Sequence, residues 1–333
     1  MSPVFVYSCG GGRLGNQLLN YANLLAFRLE HPEFQVIDLP FLPYVEEYGN
    51  DQMELVSIRD TELGWSWRRF IDVFWGKSPI DPLFQYYPVD RFRHQVLHGM
   101  ASYRENAQSI IGGDTHVWYN LAGDHFDGFD LADEANIKRL RSKDVSIVAG
   151  WAVRAWSLVE KHREMIRDRM QPGEVYLNTA ESFVEPIREK SDRIIGVLIR
   201  QGDYRTHYDG KYFFESERYR ELLDMYSESV PDQEISFLLA SDESQSHSTF
   251  DDERFVFTTG IAGGDGHYIE SFAELSLCDA IITPPSTFSV LAAFLSDVPI
   301  IPLYTGVEEN GWERIESPLI GSVDHPEMSR SIS

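Results

Sequence analysis

The feature that most constrains this chain is a pattern in its second half, where short unbroken apolar runs alternate with stretches of helical periodicity. Runs at 194–199 (IIGVLI), 235–240 (ISFLLA), 255–257 (FVF), 280–283 (AIIT) and 299–303 (PIIPL) are separated by helix-like segments at 216–229, 268–278 and 287–295. A strand that is apolar at every position has no solvated face, so helices must cover it on both sides. Such strands, alternating with helices, run parallel. The pattern predicts a doubly wound α/β domain, in which ligands bind outside the carboxyl ends of the strands.

The first residues repeat the theme on a smaller scale. Val4-Phe-Val-Tyr7 is a short apolar β run, Cys9 to Gly15 is a glycine-rich turn, and Leu18, Leu19, Ala22, Leu25, Ala26 and Leu29 recur at helical spacing. Residues 34–37 then form a second strand that ends at Asp38. From about 40 to 150 the chain carries scattered Pro and Gly and many aromatics, including Trp65, Trp67, Trp75, Trp118 and Trp151. Large rings mostly fill cores, and as a group they can also stack on sugar faces. We expect two domains, 1–185 with aromatic-rich insertions and 186–333, linked within the Arg- and Glu-rich helical segment 157–190. No internal repeat of 20–50 residues is present.

Charge narrows the function. Lys and Arg number 29 against 53 Asp and Glu, a formal charge of −24 over 333 residues, with 43% hydrophobic residues to build a core. That balance excludes a disordered acidic tail and argues against nucleic-acid partners or a polybasic membrane surface. The two cysteines, Cys9 and Cys278, give neither a disulfide framework nor a thiol metal site. Nothing here reads as a leader or a membrane span, so a cytoplasmic protein is expected.

The turn Gly10-Gly11-Gly12-Arg13-Leu14-Gly15 follows a strand, opens a helix and precedes Asp38 at the end of the next strand. That is the dinucleotide fingerprint, and it implies an NAD-dependent oxidoreductase as one reading. The same turn lets any phosphate approach backbone N–H groups at a helix start. In the second half, Arg200 ends a buried strand, where its guanidinium fork suits phosphate oxygens. Ser286, Thr287 and Ser289 sit at a helix start, where hydroxyls and free N–H groups form an uncharged anion site. Asp242, at the end of the strand 235–240, is an acceptor for a ribose hydroxyl or base N–H groups.

Four blocks then fall in one order. They are Gly11-Gly-Arg-Leu-Gly-Asn-Gln-Leu-Leu-Asn-Tyr-Ala22, Val197-Leu-Ile-Arg-Gln-Gly-Asp-Tyr204, Leu239-Ala-Ser-Asp242 and Pro285-Ser-Thr-Phe-Ser-Val-Leu-Ala-Ala-Phe294. Together they resemble the α-1,2-fucosyltransferases, which are similar in turn to the α-1,6- and protein O-fucosyltransferases. The second block resembles that superfamily's His-x-Arg-Arg-x-Asp signature. The resemblance implies a GT-B-like fold with two Rossmann-like domains facing a cleft, GDP-fucose as donor, a galactose-containing glycan as acceptor and no metal requirement. It implies that Gly12, Gly15, Asn16 and Gln17 complete a donor site made mainly by Asp203, Asp242, Ser286, Thr287, Phe288 and Ser289, with Arg200 stabilising the leaving diphosphate. Asp209 is then the candidate general base, with His207 beside it. The chain departs from the signature at Leu198 and Gln201, an aliphatic where the family has His and an amide where it has the second Arg. On that pattern one diphosphate contact is weaker and guanine selection less secure, which also fits a nucleotide- or glycan-binding homologue without turnover.

Overall fold

The computed structural model describes residues 2–9, 13–41, 44–48, 55, 115–119, 129–149, 153–260, 264, 266–304, 307 and 311–315. Most of the aromatic-rich stretch and Gly10, Gly11 and Gly12 of the glycine turn lie outside these residues. The chain divides into two compact units, Met1–Met170 and Gln171–Ser333.

In the first unit, β1 (Val4–Cys9) leads into α1 (Leu14–Glu30), β2 (Gln35–Asp38) and the short α2 (Val45–Tyr48). There follow β3 (Thr115–Tyr119), β4 (Phe129–Asp130), α3 (Glu134–Arg141), β5 (Val145–Ala149), β6 (Val153–Arg154), α4 (Trp156–Lys161) and α5 (Arg163–Arg169). The main sheet has the order β2-β1-β5-β3 and every pairing in it is parallel. Helix α1 is buried on almost every side from Leu14 to Phe27, and Phe27 meets Phe5 edge-on with ring centroids 5.7 Å apart. Its buried polar groups must therefore find partners within the protein. Arg154 Nη1 donates to Asn20 Oδ1 at 2.9 Å, and Asn23 accepts the Ala155 N–H at 2.6 Å while donating to the Leu19 carbonyl at 2.8 Å.

The second unit contains α6 (Glu174–Arg188), β7 (Arg193–Ile199), α7 (Ser216–Ser229), β8 (Ile235–Ser241), β9 (Phe255–Phe257), α8 (Tyr268–Ser276), β10 (Ala280–Thr283), α9 (Thr287–Ser296) and β11 (Ile300–Pro302). Each expected strand and helix of this half is present, with ends shifted by at most two residues. The sheet order is β11-β10-β7-β8-β9, parallel throughout. Along β7, Ile195, Val197 and Ile199 pack with Tyr219, Leu222, Leu223 and Tyr226 of α7 on one face. On the other face Ile194 packs with Val184 of α6 and with Cys278. Period-two alternation with both faces buried is why the strand carries no polar residue after Arg193. Gly196 allows α8 to approach closely, because a Cβ there would lie 2.9 Å from Leu275 Cδ2 and 3.1 Å from Cys278 Sγ. Cys278 is buried and burial pushes its thiol up, so it is a packed group and not a nucleophile.

Two expectations need revision. The boundary drawn between 185 and 186 falls inside α6, which packs on α8 and β7 and belongs to the second unit. Asp38, the acid of the dinucleotide reading, is fully buried at the end of β2. Its Oδ1 accepts the Phe41 N–H at 3.2 Å, its Oδ2 has no hydrogen-bond partner among the described residues, and desolvation raises its pKa well above the ordinary carboxylate range. A carboxyl in that position offers nothing to a ribose, and the oxidoreductase reading loses its key residue.

Asp38 makes stability depend on pH. Its folded pKa is raised, so its contribution is fully present below the unfolded value near pH 4 and is lost as pH rises through the folded value. Asp38→Asn keeps an acceptor for Phe41 and removes the ionisation. The variant should melt a few degrees above the parent at about pH 8, on a scale of roughly 2–4 °C per kcal/mol, and lose that advantage at about pH 5. Thermal unfolding followed by circular dichroism at both pH values checks this. Equal differences at the two would exclude the ionisation as the cause.

Candidate functional site

In the second unit the chain runs from β7 outward to β8 and β9, then returns to the other side of β7 for β10 and β11. The order therefore reverses between β7 and β10. The connections that leave these two strands go to opposite faces of the sheet, and ligands of open α/β sheets bind at such a reversal, beyond the carboxyl ends. The residues that follow β7 are Arg200 to Tyr204, and those that follow β10 are Pro284 to Thr287.

Arg200 is held by several groups at once. Its Nη2 donates to Asp203 Oδ1 at 2.7 Å, its Nη1 lies 3.3 Å from Asp242 Oδ2, and its guanidinium carbon stands 4.7 Å from the centre of the Tyr204 ring. The Nε is buried and has no partner among the described residues. The two carboxylates differ in exposure, with the Asp203 side chain 62% exposed and that of Asp242 9%. Asp242 also accepts the Gln201 N–H on Oδ1 at 2.9 Å, while its own N–H donates to the Ile199 carbonyl at 3.3 Å. Gly202 permits this closeness, since a Cβ there would come within 3.1 Å of Asp242 Oδ2. Both oxygens of Asp242 are thus engaged, one by Arg200 and one by the turn after β7.

The expectation for Gln201 also changes. Its side chain is buried, with Nε2 donating to the Phe214 carbonyl at 3.0 Å and to Ser216 Oγ at 3.3 Å, and Oε1 accepting from Gln245 Nε2 at 2.9 Å. Ser216 Oγ in turn donates to Gln245 Oε1 at 2.6 Å, closing an uncharged ring that ties the turn after β7 to the start of α7 and the loop after β8. Gln201 is thus a structural amide whose side chain is taken up by Phe214, Ser216 and Gln245. Leu198 is buried in the sheet, as its strand position requires.

Across the reversal, the hydroxyl of Tyr204 donates a hydrogen bond to the Pro285 carbonyl. Ser286 follows as the N-cap of α9, in extended conformation, and its side chain makes no capping hydrogen bond. Thr287 opens the helix half-buried. Phe288 turns instead to α8, edge-on to Phe272 at 5.3 Å. Ser289, expected in the anion site, is fully buried, its hydroxyl 2.7 Å from that of Thr283 and donating to the Ser286 carbonyl at 3.2 Å. One helical residue per roughly 100° carries position 289 round to the sheet side.

Asp209 lies in an exposed turn, His207–Gly210, with φ 55, and its N–H donates to the Thr206 carbonyl at 3.2 Å. Gly15, Asn16 and Gln17 form the first turn of α1 in the first unit, with Gln17 buried. The sequence reading passed over Tyr219, whose hydroxyl accepts the Arg200 N–H at 3.2 Å, and Glu274, whose carboxylate accepts the Thr259 N–H at 3.0 Å and also its hydroxyl. Glu274 is buried, which raises its pKa, and an acid within the apolar run of α8 was the signal for it. Among the described residues no group of three His, Cys, Asp or Glu side chains is arranged to hold a metal ion, and no helix is long and apolar enough to cross a membrane.

No family model matches the sequence, and no curated protein does. Solved structures match it by shape. A mutant of Arabidopsis thaliana FUT1 in complex with GDP superposes with a TM-score of 0.52 at 12% identity, covering 91% of this chain and 71% of that one. POFUT1 in complex with GDP-fucose gives 0.48 at 13% identity over 89% and 94% of the two chains. The fucosyltransferase NodZ from Bradyrhizobium gives 0.45 at 15% over 94% and 99%. The first of these shows a shared fold, α/β with parallel sheets.

The amide ring can be tested by itself. Gln201→Leu keeps side-chain bulk but removes the donor to the Phe214 carbonyl, while the Gln245 amide keeps Ser241 Oγ and the Glu243 carbonyl, and this should cost about 1–3 kcal/mol of stability. Urea unfolding of the variant beside the parent measures this, and an unchanged midpoint would mean the ring contributes nothing.

Proposed function

We propose that the chain is an inverting glycosyltransferase that moves fucose from GDP-fucose to a hydroxyl of a galactose-containing glycan, in α-1,2 linkage. One observation carries the reading: a strand-end guanidinium, fixed by a largely buried carboxylate, stands at the β7–β10 reversal and is linked through Tyr204 to the N-cap of α9. A leaving diphosphate gains negative charge as the glycosidic bond breaks, and donors already aimed at it lower the barrier. Arg200 supplies a charged fork, and the start of α9 supplies N–H groups and the Ser286 and Thr287 hydroxyls. The fold shared with the FUT1 mutant in complex with GDP supports the same donor class.

Asp209 is the proposed base for the acceptor hydroxyl. Gly12, Gly15, Asn16 and Gln17 enter the reading through sequence resemblance alone. The proposed transfer needs no metal, so turnover should persist in excess chelator.

The test is GDP binding by calorimetry and GDP release from GDP-fucose in the presence of galactosides. Protein that neither binds GDP nor releases it would sink the reading. Arg200→Ala should lower turnover by about a hundredfold or more, as for loss of one charge-stabilising donor. The net charge of −24 repels the donor at long range, and salt screens it, so the donor KM should fall as ionic strength rises from low values. Kinetics across a salt series check that sign.

A further inference from the structure

We propose that Tyr204 is the positioning residue that holds Arg200 in register with the start of α9, so that both meet the same diphosphate. The inference rests on the donor reading above.

Tyr204 is buried to 5% exposure in the turn Asp203–Arg205, one turn beyond β7. Besides packing beside the His207 ring, it makes two contacts that bear on the site. Its ring supports the Arg200 guanidinium at 4.7 Å, an arrangement in which the ring face attracts the cation and blocks one side of it. Its hydroxyl donates to the carbonyl of Pro285, the residue before the Ser286 N-cap. Burial pushes the phenol pKa up, so the hydroxyl keeps its proton and stays a donor through the working pH range. The result is a side chain spanning the sheet reversal from the β7 loop to the β10 loop.

The other contacts of Arg200 come from the β7–β8 side. Tyr219 belongs to α7, and Asp203 and Asp242 to the turns that follow β7 and β8. The two carboxylates hold the guanidinium and Tyr219 holds the Arg200 backbone N–H, all within one half of the sheet, and they carry no information about where α9 begins. Tyr204 supplies that information, and a diphosphate gripped by both devices requires their separation to be constant.

Two variants separate the ring from the hydroxyl. Tyr204→Phe keeps the ring under Arg200 and loses the tie to Pro285, whereas Tyr204→Leu loses both. Calorimetry with GDP and with inorganic pyrophosphate, and saturation-transfer NMR with guanosine, read the anion and base parts of binding separately. Loss of one hydrogen bond of ordinary net strength predicts about tenfold weaker binding of GDP and pyrophosphate by Tyr204→Phe, and a larger loss for Tyr204→Leu, with guanosine unaffected. A general structural defect would weaken guanosine as well and lower the melting temperature in step, which would overturn the positioning role. Unchanged GDP and pyrophosphate affinity in Tyr204→Phe would also overturn it while leaving the donor reading intact. If the wild type binds pyrophosphate but not GDP, the donor reading falls, and the pyrophosphate series alone decides the role of Tyr204. If Tyr204→Leu does not fold, Tyr204→Phe carries the comparison.

Discussion

Strand β7 is paired in parallel on both sides, and the candidate site hangs from that arrangement. The register sets Ile199 of β7 beside Ser241 of β8, so Arg200 and Asp242 leave the sheet side by side. On the other flank, β10 pairs with the middle of β7 and ends at Thr283, which brings Pro285 and Ser286 to the same edge. Parallel pairing puts every carboxyl end together, and a one-residue slip would turn the buried alternation of β7 inside out. The apolar packing that prevents the slip is therefore also what brings the polar groups together.

Electrostatics at this edge work over short distances. The chain is strongly acidic, and Arg200 itself already faces two carboxylates. Their unequal exposure matters. The pair with Asp203 is solvated and contributes little, so under the proposed function an incoming phosphate would take its place at small cost. The pair with Asp242 is largely shielded from water and keeps the guanidinium aligned through that exchange. Under the proposed function, one carboxylate acts as a displaceable stand-in for the anion and the other as a mount.

Some of this was legible in the residues and some was not, for identifiable reasons. The strands of the second unit could be read because continuous apolar runs have one stable environment, a sheet covered on both faces. Arg200, Asp242 and Ser286 were legible as candidates because each follows a strand or opens a helix, and those ends collect at one edge. The orientation of Gln201 was not, because the amide ring that captures it involves Phe214, Ser216 and Gln245, residues far from it in the chain. Nor was the inward turn of Ser289, or the burial of Asp38, whose spacing matched a fingerprint while its surroundings did not. Helix α6 lies in the Arg- and Glu-rich helical segment expected to link the domains, and its packing against Ile194, Leu238 and Cys278 assigns it to the second unit.

The sequence by itself determined the strand-helix-strand opening of the first unit, the parallel sheet of the second with the order of its elements, and the set of strand-end residues able to meet an anion, because hydrophobic periodicity and turn chemistry are local properties of the chain. The tertiary structure decided which of those residues point outward. It turned Gln201 and Ser289 to internal partners, gave Asp242 to Arg200, and joined two strand ends through Tyr204 and Pro285. The outcomes for Gln201, Asp242 and Tyr204 depend on contacts between segments apart in sequence, whose register is set by the packed sheet, whereas Ser289 turns inward to Thr283 and Ser286 by the geometry of its own helix start.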